Sequence, residues 1–201
     1  MMDSQPINIV YVDDQLDSML SRYLEEYCST YPSPALLYSE VGFNKEDTYE
    51  DLLSNENIRK SNVLLIDSSL FKEADAGKSK FTGEEFRAIL NKLFPYIEVI
   101  VISQNTINVT WSVIEKCKNS REYHQAKQYY NKELKPLLKD KCDIIMETRG
   151  IIERLEEYGA IDSALLEKMQ RAINGTTEYD ELKSSDIDRI VQAFQALVTK
   201  V

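Results

Sequence analysis

The sequence predicts an α/β fold: a doubly wound, five-stranded parallel sheet with extra helices. Three observations predict it. The runs Ile7-Asn8-Ile9-Val10-Tyr11-Val12, Val63-Leu64-Leu65-Ile66 and Val99-Ile100-Val101-Ile102 are short and apolar on both faces, the pattern of strands covered on both sides. Segments with apolar residues at helical spacing separate them, and strands alternating with helices build a parallel sheet. Finally, the runs end in Asp13-Asp14, in Asp67 and in Ser103. Ligands of open α/β sheets bind beyond the carboxyl ends of the strands, so three carboxylates and a hydroxyl are expected to converge there. Converging carboxylates repel one another unless a cation lies among them, and a hard, oxygen-seeking ion such as Mg²⁺ suits that donor set.

The elements follow in order. After the first strand, Leu16, Met19, Leu20, Tyr23, Leu24 and Tyr27 recur at helical spacing, with Asp14 or Asp17 as cap. Tyr31-Pro32-Ser33-Pro34 breaks that helix, and Ala35-Leu36-Leu37-Tyr38 is a second strand. Residues 48–59 read as one helix with Leu52, Leu53 and Ile58 inward, leading into the strand that ends at Asp67. A polar stretch, 68–82, follows. Its Gly77-Lys78-Ser79 lacks the glycine that a phosphate loop needs five residues earlier, where Lys72 stands. Thr82 caps the next helix, which turns Phe86, Ile89, Leu90 and Leu93 inward and stops at Pro95 before the fourth strand. Residues 109–134 read as one long helix that Pro136 ends or kinks. Cys142-Asp143-Ile144-Ile145-Met146 is the expected fifth strand, and helix resumes from Gly150. Two further helices fill 160–201, the last capped by Ser185, with Ile187, Ile190, Val191, Phe194, Leu197 and Val198 as an apolar stripe.

Val12-Asp13-Asp14, Asp67, Ser103 and the helix opening Gly83-Glu84-Glu85-Phe86 resemble, in this order, the receiver domain of bacterial two-component response regulators. The resemblance covers roughly residues 7–107 and implies a flavodoxin-like sheet of the receiver type. It implies that Asp67 accepts a phosphoryl group, and that Asp13, Asp14, Asp67 and the backbone carbonyl of Ser69 hold Mg²⁺. Ser103 would donate its hydroxyl to the attached phosphoryl group. The family also has a lysine, followed by proline, at the end of the fifth strand. Arg149-Gly150 aligns with that pair; a literal Lys135-Pro136 follows Asn131-Lys132-Glu133-Leu134, which is too polar for a buried strand. Arginine differs from lysine in reach and geometry. Three positions before the lysine the family commonly has an aromatic residue, and here Met146 stands there.

Simpler readings apply to the same residues: Asp13 and Asp14 as helix caps, Asp67 as a turn residue, and His124, the only histidine, as a solvated helix residue. Trp111, Tyr129 and Tyr130 read most simply as core or interface residues.

A chain of 201 residues exceeds what the receiver resemblance requires. We expect a receiver-like domain over 1–158, with a long helical insert at about 108–141, and a helical extension over 159–201 packed on it. Residues 115–141 hold eight basic against four acidic residues, a solvated helix face or a docking surface for an acidic or phosphate-bearing partner. The extension, with five basic and seven acidic residues, presents no basic recognition helix. A net charge of −10 argues against general DNA or anionic-membrane binding. Cys28, Cys117 and Cys142 form neither a disulfide framework nor a zinc pattern, which fits a reducing cytoplasm. The first residues do not read as a signal peptide, and no apolar run is long enough to span a bilayer.

The expectation is therefore a stand-alone receiver that takes phosphate from a histidine kinase or phosphotransfer protein and signals by protein contact, with a homodimer as one form of that contact. A receiver-like scaffold that works without phosphate is the alternative. A metal-dependent phosphoryl-transfer enzyme is a third reading, but it needs a general acid or base beside Asp67 that the sequence does not show.

Overall fold

The structure, a computed structural model, describes residues 5–44, 46–70, 83–104, 113–118, 122–157, 159 and 161–174. The expectations placed on Thr82, Trp111, the 77–79 segment and the stripe after Ser185 lie outside these residues.

Three central strands carry the core because each is apolar on both faces. They are β1 (Ile7–Asp13), β3 (Val63–Asp67) and β4 (Glu98–Ser103), and apart from Asn8 and Glu98 every residue in them is buried. The edge strand β2 (Leu36–Gly42) is less covered: only Leu36 and Val41 are buried, and Leu37, Glu40 and Gly42 are exposed. The fifth strand, β5 (Val113–Glu115), is short and buries only Ile114. All pairings are parallel and the order is β2-β1-β3-β4-β5, the flavodoxin-like arrangement of a doubly wound sheet.

Local chemistry fixes the helices. Asp17 caps α1 (Ser18–Thr30) by accepting the backbone N–H groups of Met19 and Leu20 at 2.8 and 3.3 Å. The expected single helix over 48–59 is two short ones. Thr48 and Asp51 form a reciprocal capping box on α2 (Tyr49–Ser54). Asn55 then leaves the helical region and caps α3 (Glu56–Arg59). The next helix, α4 (Gly83–Leu93), buries Phe86 and Leu90. On one side of the sheet Val10, Val12, Leu64, Ile66, Val99 and Val101 pack with Leu52, Ile58, Phe86 and Leu90. Each such side chain contributes roughly 1.5–3 kcal/mol by leaving water.

Two sequence expectations are corrected after β4. Residues 109–134 are not one helix: β5 occupies 113–115, and helix α5 (Tyr123–Glu157) begins later and runs on through 142–146, the segment expected as a strand. In that segment Cys142 and Ile145 are buried while Asp143 and Ile144 are exposed, the three-residue spacing of a helix face. Pro136 neither ends nor interrupts α5. It lies on an exposed part of the helix, where the carbonyl it cannot serve is open to water. The chain separates into two compact units, residues 1–142 and 143–201, and α6 (Ser163–Asn174) belongs to the second. Among the described residues no helix is long and apolar enough to cross a membrane.

Candidate functional site

Register brings the acidic residues together. Val12 pairs with Ile66, so the residues that follow, Asp13 and Asp67, end adjacent strands side by side. Asp67 pairs with Ile102 on its other flank, and Ser103 pairs with Glu115. Asp13 and Asp67 are fully buried, whereas Asp14 is exposed. One carboxylate oxygen from each of Asp13, Asp14 and Asp67 lies within 4.8 Å of the others.

The residue that sequence reasoning missed is Lys116, immediately after β5. Its backbone N–H donates to the Ser103 carbonyl at 2.7 Å, which continues the β4–β5 ladder. Its ammonium donates to Asp13 Oδ2 at 2.7 Å and lies 3.0 Å from Asp67 Oδ1. The first contact is an aligned hydrogen bond. The second is an ion pair off hydrogen-bond alignment, and Oδ1 of Asp67 has no other polar partner among the described residues. Arg149 and Lys135, the two residues considered for the strand-end cation, both lie inside helix α5 and end no strand. A lysine one residue beyond the β-branched pair Val113-Ile114, in Val113-Ile114-Glu115-Lys116, is the available signal.

Hydrogen bonds hold both buried aspartates. Asp13 Oδ2 also accepts the Tyr11 hydroxyl, and its Oδ1 accepts the Gln15 N–H at 3.1 Å. Asp67 Oδ2 accepts the Ser69 N–H at 2.7 Å. Ser103 is buried at the end of β4, where its hydroxyl accepts that of Ser68 at 3.3 Å. Met146, like Arg149, is on α5, and the residue three positions before Lys116 is Val113. Tyr130 is buried and Tyr129 donates to the Glu115 carbonyl at 3.0 Å, so both serve packing.

Burial and crowding shape the charges. Asp14 is held above the ordinary carboxyl range by desolvation first, then by the hydrogen bond and charge of Asp13 and the charge of Asp67. Asp67 is also raised: desolvation dominates, Asp13 adds to it, and Lys116 and the Ser69 N–H oppose it. For Lys116 desolvation works against the charge, but Asp13 and Asp67 outweigh it and the group is raised, so it stays an ammonium. The donor set is all oxygen and carries two formal negative charges when the single positive charge of Lys116 is set against three ionised aspartates. That chemistry fits a hard divalent cation held by Asp14, Asp67 and Asp13.

A pH dependence follows from these shifts. A carboxyl raised by folding stabilises the folded chain below its ordinary value, about 3.9, and that contribution is lost as pH rises through the raised value. Asp14 and Asp67 therefore oppose folding most at neutral pH, where a bound cation relieves their repulsion. We expect Mg²⁺ to raise the melting temperature at about pH 7.5, and the increment to shrink as pH falls towards roughly 5.5, above the range of unperturbed carboxyls. A Mg²⁺ increment that stays constant or grows on acidification would contradict this.

The strand order and the site define a class: a flavodoxin-like parallel-sheet protein with a carboxylate–lysine cluster at the carboxyl ends of its strands. No family model matches the chain, and no curated protein matches it either. Among solved structures, the chain is similar to a DNA complex of the two-component response regulator RcsB. The likeness covers 94% of this chain and 99% of that one, at 10% identity and a TM-score of 0.38.

Proposed function

We propose that the protein is a receiver-type phosphoacceptor whose Asp67 takes a phosphoryl group from a histidine kinase or phosphotransfer protein and signals by protein contact. One observation carries the reading: Asp13, Asp14 and Asp67 meet at the ends of β1 and β3 with Lys116 reaching in from the end of β5. In this reading an oxygen of Asp67 attacks phosphorus, and the donor leaves with the electron pair of the broken bond. A carboxylate is a weak nucleophile, so positioning and charge neutralisation carry the reaction. The Ser69 N–H fixes the carboxylate, Lys116 neutralises it, and the Ser103 hydroxyl serves the attached phosphoryl group. Lys116 takes the role expected of Arg149. Asp13, Asp14, Asp67 and the Ser69 carbonyl would hold Mg²⁺, which supplies further charge neutralisation to the phosphoryl oxygens.

The test is to incubate the chain with Mg²⁺ and acetyl phosphate or phosphoramidate. We expect an acid-stable, base-labile mass increase that disappears in Asp67→Ala. A label that survives that substitution, or none at all, overturns the proposal. The absence of both label and Mg²⁺ binding would instead favour a phosphate-independent interaction scaffold. The hydrogen bonds on Asp13 and its ion pair with Lys116 speak for that second reading, because they balance part of the site's charge without a metal.

A further inference from the structure

Resting on the phosphoacceptor reading, we infer that Tyr11 sets the cation affinity of this site by occupying an oxygen of Asp13 that would otherwise be open to the ion. The strand period of two places Tyr11 and Asp13 on the same face of β1. Tyr11 is completely buried, and its hydroxyl donates to Asp13 Oδ2. The same oxygen accepts the Lys116 ammonium at 2.7 Å. A carboxylate oxygen offers two lone pairs, and here both are taken. The other oxygen of Asp13 already accepts the Gln15 N–H.

The tyrosine is held in place from its other side. Its oxygen accepts the backbone N–H of Asp17 at 3.4 Å, and Asp17 is the residue that caps α1. A cation that takes Oδ2 of Asp13 must therefore displace either a buried hydroxyl tied to the start of a helix or the ammonium that also faces Asp67. Asp14 and Asp67 are the less encumbered donors: Asp14 is exposed, and Oδ1 of Asp67 has only the unaligned lysine beside it. Tyrosine fills this place as a neutral donor, because burial and then the charge of Asp13 push its hydroxyl far above the ordinary phenol range.

Deleting the hydroxyl should then free one lone pair and leave the negative charge of Asp13 less neutralised, and both changes favour a cation. The experiment measures Mg²⁺ affinity by titration calorimetry on the full chain, in wild type, Tyr11→Phe, Asp13→Asn and the double variant. We expect Tyr11→Phe to bind Mg²⁺ about tenfold more tightly, the equilibrium equivalent of one hydrogen bond to a charged group. The gain should vanish in the Asp13→Asn background, because it acts through that carboxylate. A purely structural role for Tyr11 would not move affinity upward, nor make the effect depend on Asp13.

Unchanged or weaker binding in Tyr11→Phe, or the same gain with Asp13→Asn, overturns the inference alone so long as wild type binds Mg²⁺ and Asp67 is labelled. If neither wild type nor Tyr11→Phe binds Mg²⁺, the phosphoacceptor reading falls and takes this inference with it. Should Tyr11→Phe not fold, wild-type chain with isotopically labelled tyrosine gives a second measurement. The Tyr11 resonances should shift on Mg²⁺ addition as the hydroxyl is displaced, and resonances that stay fixed through saturation overturn the inference.

Discussion

Replacing Lys116 with methionine will lower the melting temperature of the sheet by roughly 10 °C at neutral pH without divalent cations, a loss of about 3 kcal/mol. The side chain of Lys116 is 10% exposed, and it is the only cation contacting Asp13 and Asp67 among the described residues. Asp13 keeps the Tyr11 hydroxyl and the Gln15 N–H, but Oδ1 of Asp67 would be left with no partner. Removing one member of a buried ion pair strands the charge on the other, and the desolvation penalty then stands uncompensated. The carboxyls can relieve part of it by taking up a proton, which places the expected loss at the lower end for such deletions. Two further measurements separate this cause from a packing defect. Mg²⁺ should stabilise Lys116→Met more than wild type, because the ion restores the missing positive charge. Combining Lys116→Met with Asp67→Asn should recover most of the loss, because the second substitution removes the stranded charge. A Lys116→Met chain that melts within 2–3 °C of wild type, about 1 kcal/mol, with an unchanged Mg²⁺ response, would mean that the lysine does not organise the site.

The same residue shows where sequence reasoning stopped. β1, β3 and β4 are legible because a strand covered on both faces must be apolar throughout, and each meets this nearly without exception. Their ends are legible too: a carboxylate closing such a run stands at the carboxyl edge of the sheet, where ligands of open α/β sheets bind. Edge strands carry less signal. β2 buries only Leu36 and Val41, yet the Pro32–Pro34 break before it and the polar segment after it mark it out. β5 has three residues, only Ile114 among them buried, and residues 104–112 alone separate it from β4. A parallel crossover usually takes a dozen residues or more and contains a helix, so a strand so soon after Ser103 runs against the usual spacing. The 142–146 run was then the most apolar candidate left. Its residues are buried at helical spacing, but five residues are too few for periodicity to tell a strand from a turn and a half of helix. The strand-end cation follows the strand assignment, so a strand at 142–146 points to Arg149, whereas β5 at Val113–Glu115 points to Lys116.

Gly83→Ala should lower stability by about 2 kcal/mol and weaken Mg²⁺ binding several-fold, although alanine is the better helix former. Gly83 opens α4, and a Cβ at this position would lie 2.6 Å from the carbonyl oxygen of Asp67, 2.9 Å from Cα of Ser68 and 3.2 Å from the Asp67 carbonyl carbon. All three atoms are backbone, so no side-chain rotation can make room. The helix cannot retreat without cost either, because Phe86 and Leu90 are completely buried in the core. The Gly83 N–H also donates to the Ser68 carbonyl at 3.1 Å, a bond that separation would stretch or break. The remaining response is a shift of the 67–69 backbone, which carries the Ser69 N–H to Asp67 Oδ2 and the Ser68 hydroxyl to Ser103. The sign of the effect makes the test decisive. If Gly83 acted only as a helical residue, alanine would stabilise the chain by up to about 1 kcal/mol. A melting temperature that falls by roughly 4–8 °C, together with loss of Mg²⁺ affinity, identifies close packing of α4 against the end of β3 as the support of the acidic site. A rise in melting temperature with unchanged Mg²⁺ binding would show that the approach of helix and strand is looser than these distances, and that the geometry around Asp67 does not depend on it.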